Sequence, residues 1–266
     1  MDDVSIMSNI LEIRTVQSSA FKILIEALKE LLTETTIEFD ETGMKIVSMD
    51  TSMVVLVHLK LDANKFEYYT CTGKVSIGVN MLNLYKLIRT INSNDTLSLF
   101  IEESDKNHLG IKIENAEKNT KTTFKLDLMD LDHRKIQVDP ADFNAVITIP
   151  SVDFQKICRD MNNIAEFVEM KNIGNQLILS CKGDFCSQET VLSDSESYNC
   201  VSKNGKGNEE IVQGVFNLKY LVLFTKCTNL CNTVEIYLKN DYPLVVQYLV
   251  ASLGVVKLAV AASINQ

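Results

Sequence analysis

The stretch Leu126-Asp127-Leu128-Met129-Asp130-Leu131-Asp132-His133-Arg134-Lys135-Ile136-Gln137-Val138-Asp139-Pro140 lies just short of the midpoint of the chain. It begins as a strand: Phe124, Leu126 and Leu128 alternate with Lys125 and Asp127, which puts the apolar side chains on one face. The alternation then fails. Asp130, Asp132, His133, Arg134 and Lys135 read as solvated chain, and Pro140 removes a ladder donor. Ile136 and Val138 persist inside this polar run, two residues apart and therefore on one side of an extended chain. Two readings stand for that pair: it pins the segment to the body of the protein, or it lines a groove for a partner. The sequences on either side resemble each other, so the stretch reads as a connector between two copies of one unit.

Upstream, 1–10 reads as a polar, mobile lead-in and Leu11 to Val16 as a short strand. Ser18 or Ser19 is placed to cap a helix that runs to about Thr33, with Phe21, Leu24, Leu28, Leu31 and Leu32 as its apolar stripe. Strands follow, with a hairpin signal at Asp40-Glu41-Thr42-Gly43 and a well-buried strand from Val54 to Leu61. A second helix follows Asn80, with Met81, Leu84, Ile88 and Ile91 inward; Thr96 to Glu102, Leu109 to Glu114 and Thr122 to Leu128 alternate as strands. Downstream, after a strand at Ala145 to Ile149, Pro150-Ser151 opens a third helix, with Phe154, Ile157, Met161 and Ile164 inward. Further strands are interrupted by a loop at Ser202-Lys203-Asn204-Gly205-Lys206-Gly207-Asn208. Asn217 opens a fourth helix through Leu218, Leu221 and Phe224, and three strands close the chain. Asn80, Leu84, Arg89, Thr96 and Leu99 correspond to Asn217, Leu221, Lys226, Thr233 and Ile236, each pair 137 positions apart (217 − 80). A duplicated strand–helix–strands unit explains this.

The chain has 266 residues, enough for two domains. Its 3 Pro and 10 Gly argue against long disordered segments. No apolar run approaches the roughly 18–20 residues of a membrane span, and the acidic start Met1-Asp2-Asp3 is unlike a secretory signal. The 7 Cys are odd in number and form no CxxC, and His58, His108 and His133 are scattered. That pattern reads as reduced thiols in a cytosolic or nuclear compartment, with no metal expected.

Net charge is −9, yet each helix carries basic residues on its polar side: Lys22 and Lys29, Lys86 and Arg89, Lys156 and Arg159, Lys219 and Lys226. On any one helix this is ordinary solvated surface. Repeated on all four in an acidic protein, it fits a surface that meets a polyanion through phosphate contacts without base readout. Catalytic signatures are missing: no GxSxG, Walker loop, HExxH or GxGxxG occurs. Lys203-Asn204-Gly205-Lys206-Gly207 lacks the Gly-Lys-Ser/Thr ending of a phosphate loop and reads as a flexible hairpin. Glu102-Glu103 and Glu209-Glu210 show no partners in the sequence.

Ser48-Met49-Asp50-Thr51-Ser52, Lys125 to Asp132, Phe154 to Met161 and Asp241-Tyr242-Pro243-Leu244-Val245-Val246-Gln247-Tyr248 resemble the proliferating cell nuclear antigen family of DNA sliding clamps, in register from about Leu11 to Ala262. The resemblance implies an α+β DNA-clamp fold with two similar domains, 1–128 and 144–266, joined by a connector over 129–143. It implies antiparallel sheets outside, helices inside, and a homotrimeric ring around duplex DNA that tethers DNA polymerase and other replication and repair proteins, is opened by a clamp loader, and works in the nucleus or another site of DNA replication. No catalysis, cofactor or membrane association is implied.

The family's DNA-facing positions fall on Lys22, Lys29, Lys86, Arg89, Lys156, Arg159 and Lys226; Lys219 is outside that set. Ile23 and Asn163 replace further basic positions. The family's partner-peptide pocket falls on Met49, Met53, Val54, Leu56, Ile136, Val138, Phe143, Pro243, Val260 and Ala261. Met53 replaces a His, Ala259 a Tyr and Ala262 a Pro, and the acidic tail is missing, so the pocket is less aromatic. The family's ubiquitin-accepting lysine falls near Gly174, with Lys171 the nearest substitute. Subunit contacts are expected at about His108 to Glu114 and Glu189 to Ser195. The alternative is a clamp-like processivity subunit that holds DNA electrostatically as a monomer or open dimer.

Overall fold

A computed structural model describes residues 8–132, 136–138, 141–193, 195, 198–202 and 211–263. The lead-in over 1–7, His133-Arg134-Lys135, Asp139-Pro140, the loop at 203–208 and Glu209-Glu210 lie outside the described residues.

Among the described residues, the first half of the chain runs β1 (Asn9–Thr15), α1 (Ser18–Leu28), β2 (Glu34–Asp40), β3 (Gly43–Met49), β4 (Val55–Asp62), β5 (Tyr68–Cys71), β6 (Val75–Asn80), α2 (Met81–Ile88), β7 (Thr96–Glu102), β8 (Asp105–Asn115) and β9 (Thr120–Asp127). The second half repeats that order: β10 (Ala145–Pro150), α3 (Ser151–Asn162), β11 (Phe167–Ile173), β12 (Gln176–Lys182), β13 (Ser187–Ser193), β14 (Asn199–Ser202), β15 (Val212–Asn217), α4 (Leu218–Phe224), β16 (Thr233–Leu238), β17 (Leu244–Val250) and β18 (Gly254–Val260). Sheet order repeats as well: β5-β1-β7-β8-β9 corresponds to β14-β10-β16-β17-β18, and β4-β3-β2-β6 to β13-β12-β11-β15. All registered pairs are antiparallel, and the fold is α+β. No helix among the described residues is long and apolar enough to cross a membrane.

The chain divides into one unit of Met1–Ser48, His58–Lys135 and Val250–Val255 and another of Met49–Val57, Ile136–Leu249 and Val256–Gln266. In the first unit, Phe21, Leu24 and Leu28 of α1 and Met81, Leu84 and Ile88 of α2 are buried with the inward residues of β1, β7 and β8. Tyr85 of α2 donates a hydrogen bond to Glu26 of α1. In the second, Phe154 and Met161 of α3 and Leu218, Leu221 and Phe224 of α4 fill the corresponding places. The shared Asn has one job in both: Asn80 Oδ1 accepts from the Asn83 amide (3.0 Å) and Asn217 Oδ1 from the Lys219 amide (2.9 Å), each satisfying an orphan donor at a helix start.

Several expectations need correction. Ser18 does not cap α1; it is buried and its hydroxyl donates to the Asp95 carbonyl (2.5 Å), while Gln17 precedes the helix without a side-chain cap. The helix ends at Leu28 rather than near Thr33, because the Glu30 and Leu31 amides tighten onto the Ala27 and Leu28 carbonyls. On α3 the buried position is Cys158, and Ile157 is only half-buried. Lys226 lies on a 3-10 turn, Thr225–Leu230, that follows α4. Glu102 pairs with Lys125 (3.5 Å), and Glu103 accepts a hydrogen bond from Ser8. His108 to Glu114 is not a free edge: it belongs to β8, which pairs with both β7 and β9, so β9 is the sheet edge.

The hairpin at 40–43 forms as expected, with Asp40 opposite Gly43. Past β9 the chain is laid against β6. The Met129 amide donates to the Gly78 carbonyl (2.8 Å), and a Cβ on Gly78 would stand 2.3 Å from the Met129 carbonyl oxygen. Only glycine lets the start of the connector lie this close.

Candidate functional site

The apolar stripes of the helices point into the cores, so their polar sides face out. On α2, Lys86 and Arg89 are exposed, one turn apart. The α1 lysines are different. Lys22 is half-buried and donates to the Ile91 carbonyl (2.8 Å). Lys29 pairs with Glu30, lies 4.9 Å from the Tyr85 ring centroid, and has a side chain only 16% exposed. Tyr85 in turn donates to Glu26 (3.0 Å); burial and that bond push its phenol above the ordinary value. The α1 lysines are therefore engaged by Ile91 and Glu30, and the exposed basic side chains of this pair of helices are those of α2.

In the second unit Lys156 and Arg159 of α3, Lys219 of α4 and Lys226 of the following turn are all exposed. Gln155 donates to the Thr225 carbonyl (2.9 Å), which fixes α3 against the end of α4. Asp153, at the start of α3, accepts from the Tyr198 hydroxyl (2.8 Å). Lys219, outside the family's DNA-facing set, is exposed like Lys156 and Arg159 and lies 5.9 Å from the Tyr220 ring.

The expected peptide-pocket residues all belong to the second unit. Met49, Val54, Leu56, Ile136, Phe143 and Pro243 are half-buried, and Met53, Val138 and Ala261 are exposed. Val260 is 1% exposed, so it supports the surface from beneath. Phe143 sits edge-on to Tyr237 (5.3 Å) and Tyr242 (5.6 Å), which anchors the end of the connector beside Pro243. The Ala261 amide donates to the Val54 carbonyl (3.3 Å), bringing the 50–55 turn beside the chain's last described residues.

That turn hangs on Asp50. Its Oδ1 accepts from the amides of Val54 and Val55 (2.8 Å each), and its Oδ2 accepts from the Ser52 amide (3.3 Å) and hydroxyl. Burial pushes the carboxyl up, but these donors outweigh it and hold it below its ordinary value.

A groove of about 740 Å³ is lined by Pro243 and Ala261 together with Glu169, Gln213, Gly214, Val215, Asn240, Asp241, Tyr242, Ala262 and Ser263. The other expected pocket residues do not line it. Its floor is made by pairing: the Ser263 amide donates to the Val215 carbonyl (2.8 Å), and Asn240 accepts from the Gln213 amide (2.8 Å) and donates to the Ile211 carbonyl (3.0 Å). Sequence reasoning missed these lining residues. The sequence marks Asn217 as a helix start, but no local signal says that the C-terminal segment closes on the strand before it. Among the described residues no group of three or more His, Cys, Asp or Glu side chains is arranged to hold a metal.

Comparison with known proteins gives two family matches, one to the proliferating cell nuclear antigen N-terminal domain over residues 10–135 and one to its C-terminal domain over 137–263. A relative from Paramecium bursaria Chlorella virus 1, described as "Probable DNA polymerase sliding clamp 1", is 36% identical over 265 residues, spanning 98% of each chain.

Proposed function

We infer the function from one premise: the chain belongs to the proliferating cell nuclear antigen family. Its role is that of a DNA sliding clamp, a non-catalytic processivity factor that partners DNA and DNA polymerase and acts where DNA is replicated. The finer reading is a two-domain subunit, 1–128 and 144–266 with a connector over 129–143. Three copies join head to tail into a ring that a clamp loader opens, in the nucleus or another replication site.

Lys86, Arg89, Lys156, Arg159 and Lys226 face the duplex; Lys22 and Lys29, on α1, are held by internal partners. The observation that carries this reading is that exposed basic side chains stand on the solvent side of helices in both units while the whole chain is at −9. Contacts of that kind bind phosphate without reading sequence, which suits sliding. The surface around Met49, Met53, Val54, Leu56, Ile136, Val138, Phe143, Pro243, Val260 and Ala261 receives peptides of client enzymes, so that the ring raises the effective concentration of a tethered polymerase.

Ring closure pairs two exposed strand edges, which would otherwise be open to aggregation. β9 presents exposed Thr120, Lys121, Thr122 and Lys125, and β13 presents Glu189 and the 47%-exposed Val191. Lys121 on β9 and Glu189 on β13 are opposite in charge, which favours pairing between copies, whereas Lys125 is engaged by Glu102 and Asp105. The test is retention after loading. The protein stays on closed circular duplex and is lost from linear duplex, and its mass in solution is near three times 29.9 kDa. Equal loss from both templates, or a mass near one chain, overturns the ring.

A further inference from the structure

We propose that Asp50 is a positioning residue for client recognition, locking the 50–55 turn so that Met53 stands as a fixed apolar tip on the peptide-binding surface. This rests on the peptide-site reading above and extends it to a residue that touches no client.

Met53 is 63% exposed and has a backbone φ of +59°, the left-handed region that side-chain-bearing residues rarely occupy. A large apolar side chain in that conformation at the surface runs against both local preference and solvation. Such a conformation persists only where its surroundings over-determine it, and here they do. The Asp50 carboxylate gathers the amides of Ser52, Val54 and Val55 and the Ser52 hydroxyl from within a 9%-exposed position. The backbone adds the Asp50 amide to the Val55 carbonyl (2.9 Å) and the Met53 amide to the Asp50 carbonyl (3.0 Å). The Ser52 hydroxyl also lies 3.1 Å from the Tyr220 hydroxyl, which ties the tip of the turn to α4. Among the described residues no Lys or Arg pairs with Asp50, so its charge is balanced by turn donors alone. A turn needed only to reverse the chain would be served better by glycine at position 53. Holding methionine there fixes an adaptable side chain in place before a client arrives, which lowers the ordering cost of binding.

The experiment is a double-substitution cycle on the full chain. Its probe is a fluorescent synthetic peptide with a leucine one helical turn ahead of two adjacent phenylalanines on a polar background. Asp50→Asn puts an NH₂ where the carboxylate accepts from Ser52, and affinity should fall about tenfold with the melting transition still cooperative. Met53→Ala should weaken binding in the wild-type background and much less in the Asp50→Asn background, because a freed tip no longer contributes as before. Met53→Gly should melt at the same temperature or higher yet bind no better than Met53→Ala, a split that a purely structural role does not produce. If Asp50→Asn does not fold, Tyr220→Phe with Ser52→Ala loosens the same turn, and the pair should bind about threefold more weakly.

Unchanged affinity in the folded Asp50→Asn variant, or in the Ser52→Ala/Tyr220→Phe pair when that is the variant measured, overturns the inference. So do strictly additive costs. Ile136→Asp is the control. If it abolishes binding while Asp50→Asn does not, only the positioning role fails; if it leaves binding intact, the peptide-site reading fails with it.

Discussion

Lys22 and Lys86 occupy equivalent-looking places on the sequence, one on each helix of the first unit, and the structure separates them. Lys86 is exposed, whereas Lys22 spends its ammonium on the Ile91 carbonyl at 2.8 Å. Replacing Lys86 with Ala should therefore free a phosphate from its neutralising charge, and replacing Lys22 should not. Each neutralised phosphate accounts for about 0.9 in the slope of log affinity against log salt, so raising salt from about 50 to 200 mM penalises the wild type about 3.5-fold more than Lys86→Ala for each copy of Lys86 that holds a phosphate. Lys22→Ala should keep the wild-type slope and instead cost about 1 kcal/mol of stability, through the Ile91 carbonyl left without its charged donor. Fluorescence anisotropy of a short labelled duplex across that salt range, together with urea denaturation of both variants, reads the two effects separately. If Lys22→Ala flattens the salt dependence as much as Lys86→Ala does, the lysine is not committed to the fold and the reasoning is wrong.

Three further outcomes are expected. Asn80→Ala and Asn217→Ala should each lower unfolding free energy by about 1 kcal/mol in denaturant titrations, since each removes the side-chain acceptor at a helix start. Asp40 is held below the ordinary carboxylate range chiefly by hydrogen bonds from Lys45 and Thr42, so it stabilises the fold above about pH 4 and loses that contribution as pH falls through its folded-state value. Asp40→Asn should accordingly be less stable than wild type at neutral pH, with the gap in urea midpoint beginning to narrow only as pH falls below about 4. Cys227, fully buried and pushed up to about 12, should resist a maleimide reagent in the native protein, while exposed Cys186 reacts; mass spectrometry of the labelled peptides decides this.

How far the sequence could be read depends on the range over which each feature is set. The stripe Met81, Leu84, Ile88 and the Asn80 cap are properties of one helix and were legible, as were the 40–43 hairpin and the repeat at offset 137. The early end of α1 is a local tightening of its last turn, but most of the other failures involve a partner distant in sequence. Ser18 looked like a cap because its chemistry allows it, but the Asp95 carbonyl lies within reach of its hydroxyl. Phase along α3 favoured Ile157 over Cys158 until the packing against α4 set the buried side. The expected edge at His108 to Glu114 was one strand off, because alternation identifies strands and is silent on which strand lies outermost.

By itself the sequence determined the class of fold, the duplication and the presence of basic residues on helix faces, because hydrophobic period, caps and turn residues act over a few residues of chain. Tertiary structure alone decided which of those basic side chains are free, which strands are edges, that Pro243 and Ala261 open onto a groove with Glu169 and Val215, and that Asp50 holds Met53 in a left-handed turn. Each of these is a competition for one donor, one acceptor or one side of a sheet between groups far apart in the chain, and only the folded geometry brings the competitors together.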